Sequence, residues 1–236
     1  MNKRIAVMQP YFFPYIGYYQ LANQVDQFIL YDNIEFSKRG WIHRNRILID
    51  QQIKYISLNL KKDSDFKEIR ERVLSGVYFD KNRSKILRQI ENSYKDSVSY
   101  SEVMPVIESA MNVDSRNLYD YLLHTLLVIF DHLNINTEVI TSSTVQIDHS
   151  LESKKKLRAF CNYFGVNQLL NPIGGKPLYD QSEFLENGVS ISFIEAIDIQ
   201  YNNQKGPVPT HLSIIDVMMN NSRDELQKML HNFQLV

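Results

Sequence analysis

The chain opens on a five-residue apolar run, Arg4–Met8, closed at once by Gln9-Pro10. A run this short is the length of a buried strand. The residue before a proline is pushed out of helical geometry, so the strand ends in a turn. Ile16–Asn23 has helical spacing, and Phe28–Tyr31 reads as a second strand. This β–loop–α–β opening constrains everything after it. A helical crossover returns the chain parallel to the first strand, and the result is the α/β class.

The remaining segments extend that pattern. Asn45–Ile49 and Ile53–Asn59 flank Asp50-Gln51-Gln52 and predict a hairpin. Asp80–Tyr94, Ser101–Met111 and Ser115–Leu133 carry helical spacing and almost no strand signal. Strands then return at Thr137–Thr141, Asn167–Asn171 and Val189–Ile194. They are separated by helices at Leu151–Phe164, which Gly165 closes, and Gln181–Glu186. Leu212–Asn220 and Arg223–Asn232 are closing helices. We therefore expect a single α/β domain over 1–236. It has a mostly parallel sheet, flanking helices, and a helical lobe inserted over 60–135.

Composition excludes several classes. The formal net charge is -1, so no overall field draws the chain to DNA or to anionic lipid. The single cysteine, Cys161, permits neither an internal disulfide nor a multi-cysteine metal site, and its helical setting suits core packing. No HxxxH, HExxH or carboxylate cluster has metal spacing, so no metal is expected. The apolar stretch Leu122–Leu133 is broken by His124, Asp131 and His132 and is too short to span a bilayer. Nothing at the start resembles a signal peptide, and a cytoplasmic protein without membrane insertion is expected. Phosphate-loop, GxGxxG and GxSxG patterns are missing, which leaves kinase, dehydrogenase and α/β-hydrolase readings without support.

Four segments carry candidate chemistry. Gln9–Tyr19 follows the first strand, and ligands of α/β sheets sit outside the C-terminal ends of strands. Its Pro14-Tyr15-Ile16-Gly17-Tyr18 is similar to the HxGH loop of nucleotidylyltransferases and pantothenate synthetase-like ligases, with tyrosine at both histidine positions. Gly17 there would let a backbone approach phosphate, or the whole segment is an aromatic turn packed on the core. Between Phe36 and Ile47 lie four permanent cations, Lys38, Arg39, Arg44 and Arg46, and no acid. Guanidinium forks hold phosphates and Trp41 stacks on a base or a sugar. The same patch suits an RNA backbone, or it is simply a solvated face. Strand alternation would place Arg39, Trp41 and His43 on one side and Arg44 and Arg46 on the other, with Asn45 between them.

The third segment is Asn171-Pro172-Ile173-Gly174-Gly175-Lys176-Pro177-Leu178-Tyr179. It leaves a strand at the same sheet edge, and its two glycines expose amides to an anion or oxyanion. Its plain structural account is a turn that uses glycine. Ser142 and Ser143, after another strand, add hydroxyls at that edge or cap the next element. The fourth is His211-Leu212-Ser213-Ile214-Ile215-Asp216, after the proline-rich stretch 206–209. A histidine beside an acid serves as a general base, and capping by Ser213 with a surface histidine is the alternative. Asp32 and Glu35 are placed to pair with arginines or to do acid/base work. Lys154, Lys155, Lys156 and Arg158 read as a solvated helix face.

MQPYFFPYIGYYQ, VDQFILYDNIEFSKRGWIHRNRI, the TSS at Thr141–Ser143, NPIGGKPLY and HLSIIDVMMNN together resemble the WbqC-like family over nearly the whole chain. One position departs: His43 stands where the family pattern often carries Asn. The resemblance implies a step in bacterial surface polysaccharide (O-antigen) biosynthesis. That step is transfer of a small acyl or aminoacyl group, glycyl among the choices, to the amine of a nucleotide-linked amino sugar. The donor stays open between an aminoacyl-tRNA and an acyl-CoA, as does oligomerisation. On this reading Gln9, Tyr11, Tyr18 and Asp32 shape the sugar pocket. Arg39, Arg44 and Arg46 hold phosphates, Trp41 stacks, and Asn45, Ser142, Ser143, Asn171 and Tyr179 add polar contacts. Gly174 and Gly175 meet the oxyanion, and His43 or His211, with Asp216, takes the proton. Alternatives are a non-catalytic binding or scaffold protein of the same pathway and an ATP-dependent amide ligase.

Overall fold

The computed structural model describes residues 3–197, 209 and 211–236. Its larger sheet has six strands in the order β5-β2-β1-β6-β7-β8. These are β1 (Arg4–Met8), β2 (Gln27–Leu30), β5 (Glu138–Thr141), β6 (Gln168–Pro172), β7 (Ser190–Ala196) and β8 (Phe233–Leu235). β1 pairs in parallel with β2 and β6, β2 with β5, and β6 with β7; only the edge strand β8 runs antiparallel. A second sheet is the hairpin β3 (Arg44–Ile49) and β4 (Gln52–Ser57). Asp50 and Gln51, both at positive φ (51° and 62°), form its two-residue turn. That left-handed pair matches the twist of the flanking strands, and Gln52 pairs with Ile49 instead of belonging to the loop.

Period-two alternation sorts the large sheet's side chains onto two cores. Ile5, Val7, Ile29, Leu169 and Phe193 face one layer with α5 (Ser153–Phe164) and α6 (Gln181–Glu186). Ala6, Phe28, Leu30, Leu170 and Ile194 face the other. That second layer contains α1 (Ile16–Asn23), α7 (Ile214–Asn220), α8 (Arg223–Leu230) and the central helices. The latter are α2 (Arg83–Tyr94), α3 (Tyr100–Met111) and α4 (Leu118–His132). The sequence-based α/β class, with a mostly parallel sheet and flanking helices, is the observed one. α4 buries Leu118, Leu122, Leu126 and Ile129 at helical spacing, and the Asn117 side chain caps it by accepting from the Tyr119 and Asp120 amides. α5 ends at Gly165 with φ 63°, the left-handed position that favours glycine.

Three local expectations change. Arg39, Trp41 and His43 are not on a strand, because β3 starts only at Arg44; the turn at Ser37–Gly40 precedes it and breaks the alternation. The closing helix stops at Leu230, and Phe233–Leu235 adds β8 against β7. The Ile173–Leu178 stretch is a 3-10 turn, but neither Gly174 nor Gly175 takes the positive φ that a glycine turn was expected to use. Of the proline-rich stretch, 206–208 lie outside the described residues.

Candidate functional site

The first strand has β2 on one side and β6 on the other, so the strand order reverses beside β1. In open α/β sheets such a reversal leaves a crevice at the C-terminal strand ends, because the connecting loops part in opposite directions. A cleft of about 620 Å³ lies there. Gln9 leaves β1 into it, Asn171 stands near the end of β6, and Tyr11, Tyr15, Tyr31, Trp41 and Tyr179 contribute aromatic walls. Gly174, Gly175 and Lys156 also border it. A smaller recess of about 290 Å³ adds Asn45, Arg46 and His211, and shares Tyr11, Tyr15, Trp41 and Gly174 with the cleft.

The first loop is held in place from three directions. The Phe12 amide donates to the Trp41 carbonyl at 3.2 Å. Asn45, only 3% exposed, donates through Nδ2 to the Phe12 and Phe13 carbonyls at 3.0 and 2.8 Å. Its Oδ1 accepts from the Arg46 amide. From the far end of the chain, Ser213 Oγ donates to the Phe13 carbonyl and the Ile214 amide to the Pro14 carbonyl, at 2.8 and 2.9 Å. Phe13 sits at φ 43°, a conformation a bulky residue keeps only when its surroundings fix it.

Gly17 has a reason that is not phosphate approach. A Cβ built there would lie 2.3 Å from Tyr15 Cε2, so the glycine makes room for the Tyr15 ring. That ring meets the edge of His211 at 5.3 Å. Tyr18 is fully buried and donates to the Gln9 carbonyl at 2.9 Å, which supports the loop from beneath; it does not line the cleft. Burial raises the phenol pKa of Tyr11, Tyr15 and Tyr31, with Tyr15 adding to the effect on Tyr11 and Tyr179 to that on Tyr31. The phenols therefore stay protonated as hydrogen-bond donors at neutral pH.

The arginines separate by task. Arg44 donates to the Arg39 and Gly40 carbonyls and lies over the Tyr55 ring at 5.1 Å, which ties down the turn. Arg46 lies 5.1 Å from the Trp41 ring centre and donates to the His211 carbonyl at 2.9 Å. Trp41 stacks on Tyr55, with ring centres 6.3 Å apart. Arg39 is exposed and lines neither cleft nor recess, so of the three only Arg46 does.

Other candidates lie elsewhere. Asp32 Oδ1 accepts from Ser142 Oγ at 2.8 Å and from the Ser143 amide at 2.9 Å, a clamp between the β2 and β5 ends that lines neither space. Arg70 reaches Asp32 Oδ2 at 4.0 Å. Asp216 is fully buried, accepts the Tyr94 hydroxyl at 2.7 Å and does not line the recess with His211. His43 faces a different hollow. Cys161 is buried, and burial pushes its thiol up to about 12.

Sequence reasoning missed Tyr31 and Lys156, and singled out Tyr15 only as part of the first loop. Lys154 and Arg158 of the same helix pair with Glu183, whereas Lys156 turns to the cleft. The only signal for Lys156 was its place in the first turn of α5, and the neighbour that makes it useful is a loop from another strand. Among the described residues no group of three or more His, Cys, Asp or Glu is placed to hold a metal ion. No helix among them is long and apolar enough to cross a membrane.

The fold and cleft define an α/β protein with an aromatic, partly cationic cleft at the strand-order reversal of its mostly parallel sheet. The family model described as the WbqC-like protein family matches residues 9–228, and the chain belongs to that family. It is similar to the uncharacterized protein Rv1507c of Mycobacterium tuberculosis (strain ATCC 25618 / H37Rv). The two are 24% identical over 223 residues, which cover 92% of this chain and 94% of that protein. No solved structure matches the chain.

Proposed function

We propose that the cleft binds a nucleotide-linked amino sugar and that the protein transfers a small acyl or aminoacyl group to its amine. The setting is bacterial surface-polysaccharide (O-antigen) assembly. The observation that carries this reading is the cleft's lining: five aromatic rings, two adjacent glycines and one lysine around about 620 Å³, opening onto a recess with a histidine. Aromatic faces take the apolar side of a sugar, and the volume lies within the range of small-ligand sites. Lys156 supplies a charge for the diphosphate. Gly174 has nothing within 4 Å of where a Cβ would be, so its backbone is open to a tetrahedral oxyanion.

His211 is the base in this scheme. As the amine attacks the donor carbonyl, a C–N bond forms, the leaving group departs with the electron pair, and His211 takes the amine proton. Rate enhancement then comes from positioning and from oxyanion stabilisation.

The test is thermal unfolding of the protein against dTDP- and UDP-linked amino sugars, the bare nucleotides, ATP and glycyl-tRNA. A ligand at about 100 times its Kd adds ~2.7 kcal/mol to stability. Stabilisation by one nucleotide-linked amino sugar, lost in Trp41→Ala, is expected. A shift with ATP alone, or with none of the panel, overturns the reading.

A further inference from the structure

Two residues beyond Trp41 the chain enters a second hollow, of about 270 Å³, that shares no lining residue with the cleft or its recess. Phe36, Leu58 and Leu60 form an apolar wall, and His43, Lys61, Lys62 and Arg72 stand around it. Arg72 is the unusual member. It is only 3% exposed, yet its guanidinium has no carboxylate within 4 Å among the described residues. It stacks on the Phe36 ring at 4.8 Å and donates from Nη1 to the Ser64 carbonyl at 2.8 Å. Its Nε is buried and has no hydrogen-bond partner among the described residues.

A buried charge ordinarily comes with a counter-ion, because desolvation is otherwise uncompensated. The neighbouring acids make their close ion pairs with other cations: Asp63, which lines the hollow, pairs with Lys67 at 2.8 Å, and Asp65 pairs with Lys38, so Arg72 acts on both only as a weaker, more distant charge. Among the described residues no ion pair within 4 Å engages Lys61 or Lys62, both exposed. His43 packs against the same Phe36 ring at 5.3 Å, and its Nδ1 also lacks a partner among the described residues. Burial and the charges of Arg44 and Arg72 hold it down to about 4, so at neutral pH it is an uncharged imidazole in cationic surroundings.

We propose that this hollow is a second ligand site that takes a compact phosphate-bearing anion, with Arg72 as its buried anchor and Lys61 and Lys62 at its mouth. Guanidinium and ammonium groups together suit phosphate, the first as a planar fork and the second as mobile point charges. At about 270 Å³ the hollow is smaller than usual small-molecule sites, which fits phosphate or a phosphomonoester and excludes a whole nucleotide sugar. The apolar wall would meet the carbon part of a phosphomonoester. Since no residue is shared with the cleft, this inference stands or falls independently of the transferase reading.

The test is a titration of the full chain with inorganic phosphate and with glucose 1-phosphate, at ionic strength held constant with chloride, followed by NMR at the His43 ring nitrogens. A saturable shift of the His43 signals is expected. The Lys61→Gln/Lys62→Gln variant, altered only at exposed positions, should bind about tenfold more weakly or worse. Arg72→Gln should abolish the shift; if it does not fold, the double lysine variant decides alone. An unresponsive His43 in the wild type, or full affinity in the double variant, overturns the proposal.

Discussion

Trp41 and His43 are two residues apart, but they open onto spaces that bury charge to different depths. In the cleft and recess, Arg46 is already occupied by a tryptophan face and a backbone carbonyl. Five aromatic rings, two glycines and a single lysine are part of the cleft's lining. In the hollow, Arg72 also holds one ring and one carbonyl but is more deeply buried, and among the described residues the two lysines beside it form no ion pair within 4 Å. The comparison teaches that a run of cations in a sequence does not identify the ligand's charge. What matters is whether each cation has already found an acceptor inside the fold. Arg44 has found two carbonyls and a ring, and Arg72 one carbonyl and a ring.

The sharpest break between the two spaces would come from their histidines. On the proposed scheme His211→Ala lowers kcat by ~10²–10⁴-fold with little change in KM, the usual worth of a positioned base. His43→Ala leaves kcat within about twofold. Equal losses in steady-state turnover of the two variants would erase the distinction. Next in size is Asn45→Ala, which strands the Phe12 and Phe13 carbonyls and the Arg46 amide behind the cleft. Urea unfolding should show a loss of about 2–4 kcal/mol, against within ~0.5 kcal/mol for Lys61→Gln at the exposed mouth of the hollow.

Glycines give a finer test. Gly17→Ala forces the Tyr15 ring aside and should destabilise by about 1–3 kcal/mol. Gly174→Ala, with open space at its Cβ, should stay within ~0.5 kcal/mol in the same unfolding experiment while reducing turnover. The smallest effect is in pH. His43 titrates near 4 in the folded chain, below its ordinary value of 6.5, so the unfolded chain takes up the proton first. Its contribution to stability is whole above about 6.5 and is lost as pH falls through that window toward 4. Urea midpoints of His43→Phe across this range should slope less than those of the wild type. Some slope persists because burial also lowers His132.

The sheet and most helices were legible because their signals are local. Arg4–Met8 is one apolar run between turns, and Leu118 to Ile129 repeats at one helical turn. β8 was not legible, since three residues carry no period and its partner lies about forty positions earlier, at Ile194–Ala196. Arg39, Trp41 and His43 were misplaced because alternation was extended through Ser37–Gly40, where the chain turns. The cleft was legible through Gln9, Tyr11, Asn171 and the paired glycines, all at strand ends. Lys156 was not, because a lysine on a helix looks the same in sequence whether it faces water or a loop from elsewhere. Asp32 and Ser142 were seen as polar groups at the right edge; only the structure shows that they bond to each other.

The contacts that steady the first loop include Ser213, two hundred positions after Phe13. A nascent chain leaving the ribosome therefore displays its aromatic loop long before the residue that fastens it is made. Until then the positive φ of Phe13 lacks one of the bonds that hold it. The loop's final shape thus arrives late in synthesis, and a chain stalled before residue 213 would carry the aromatic loop without the clasp that shapes it.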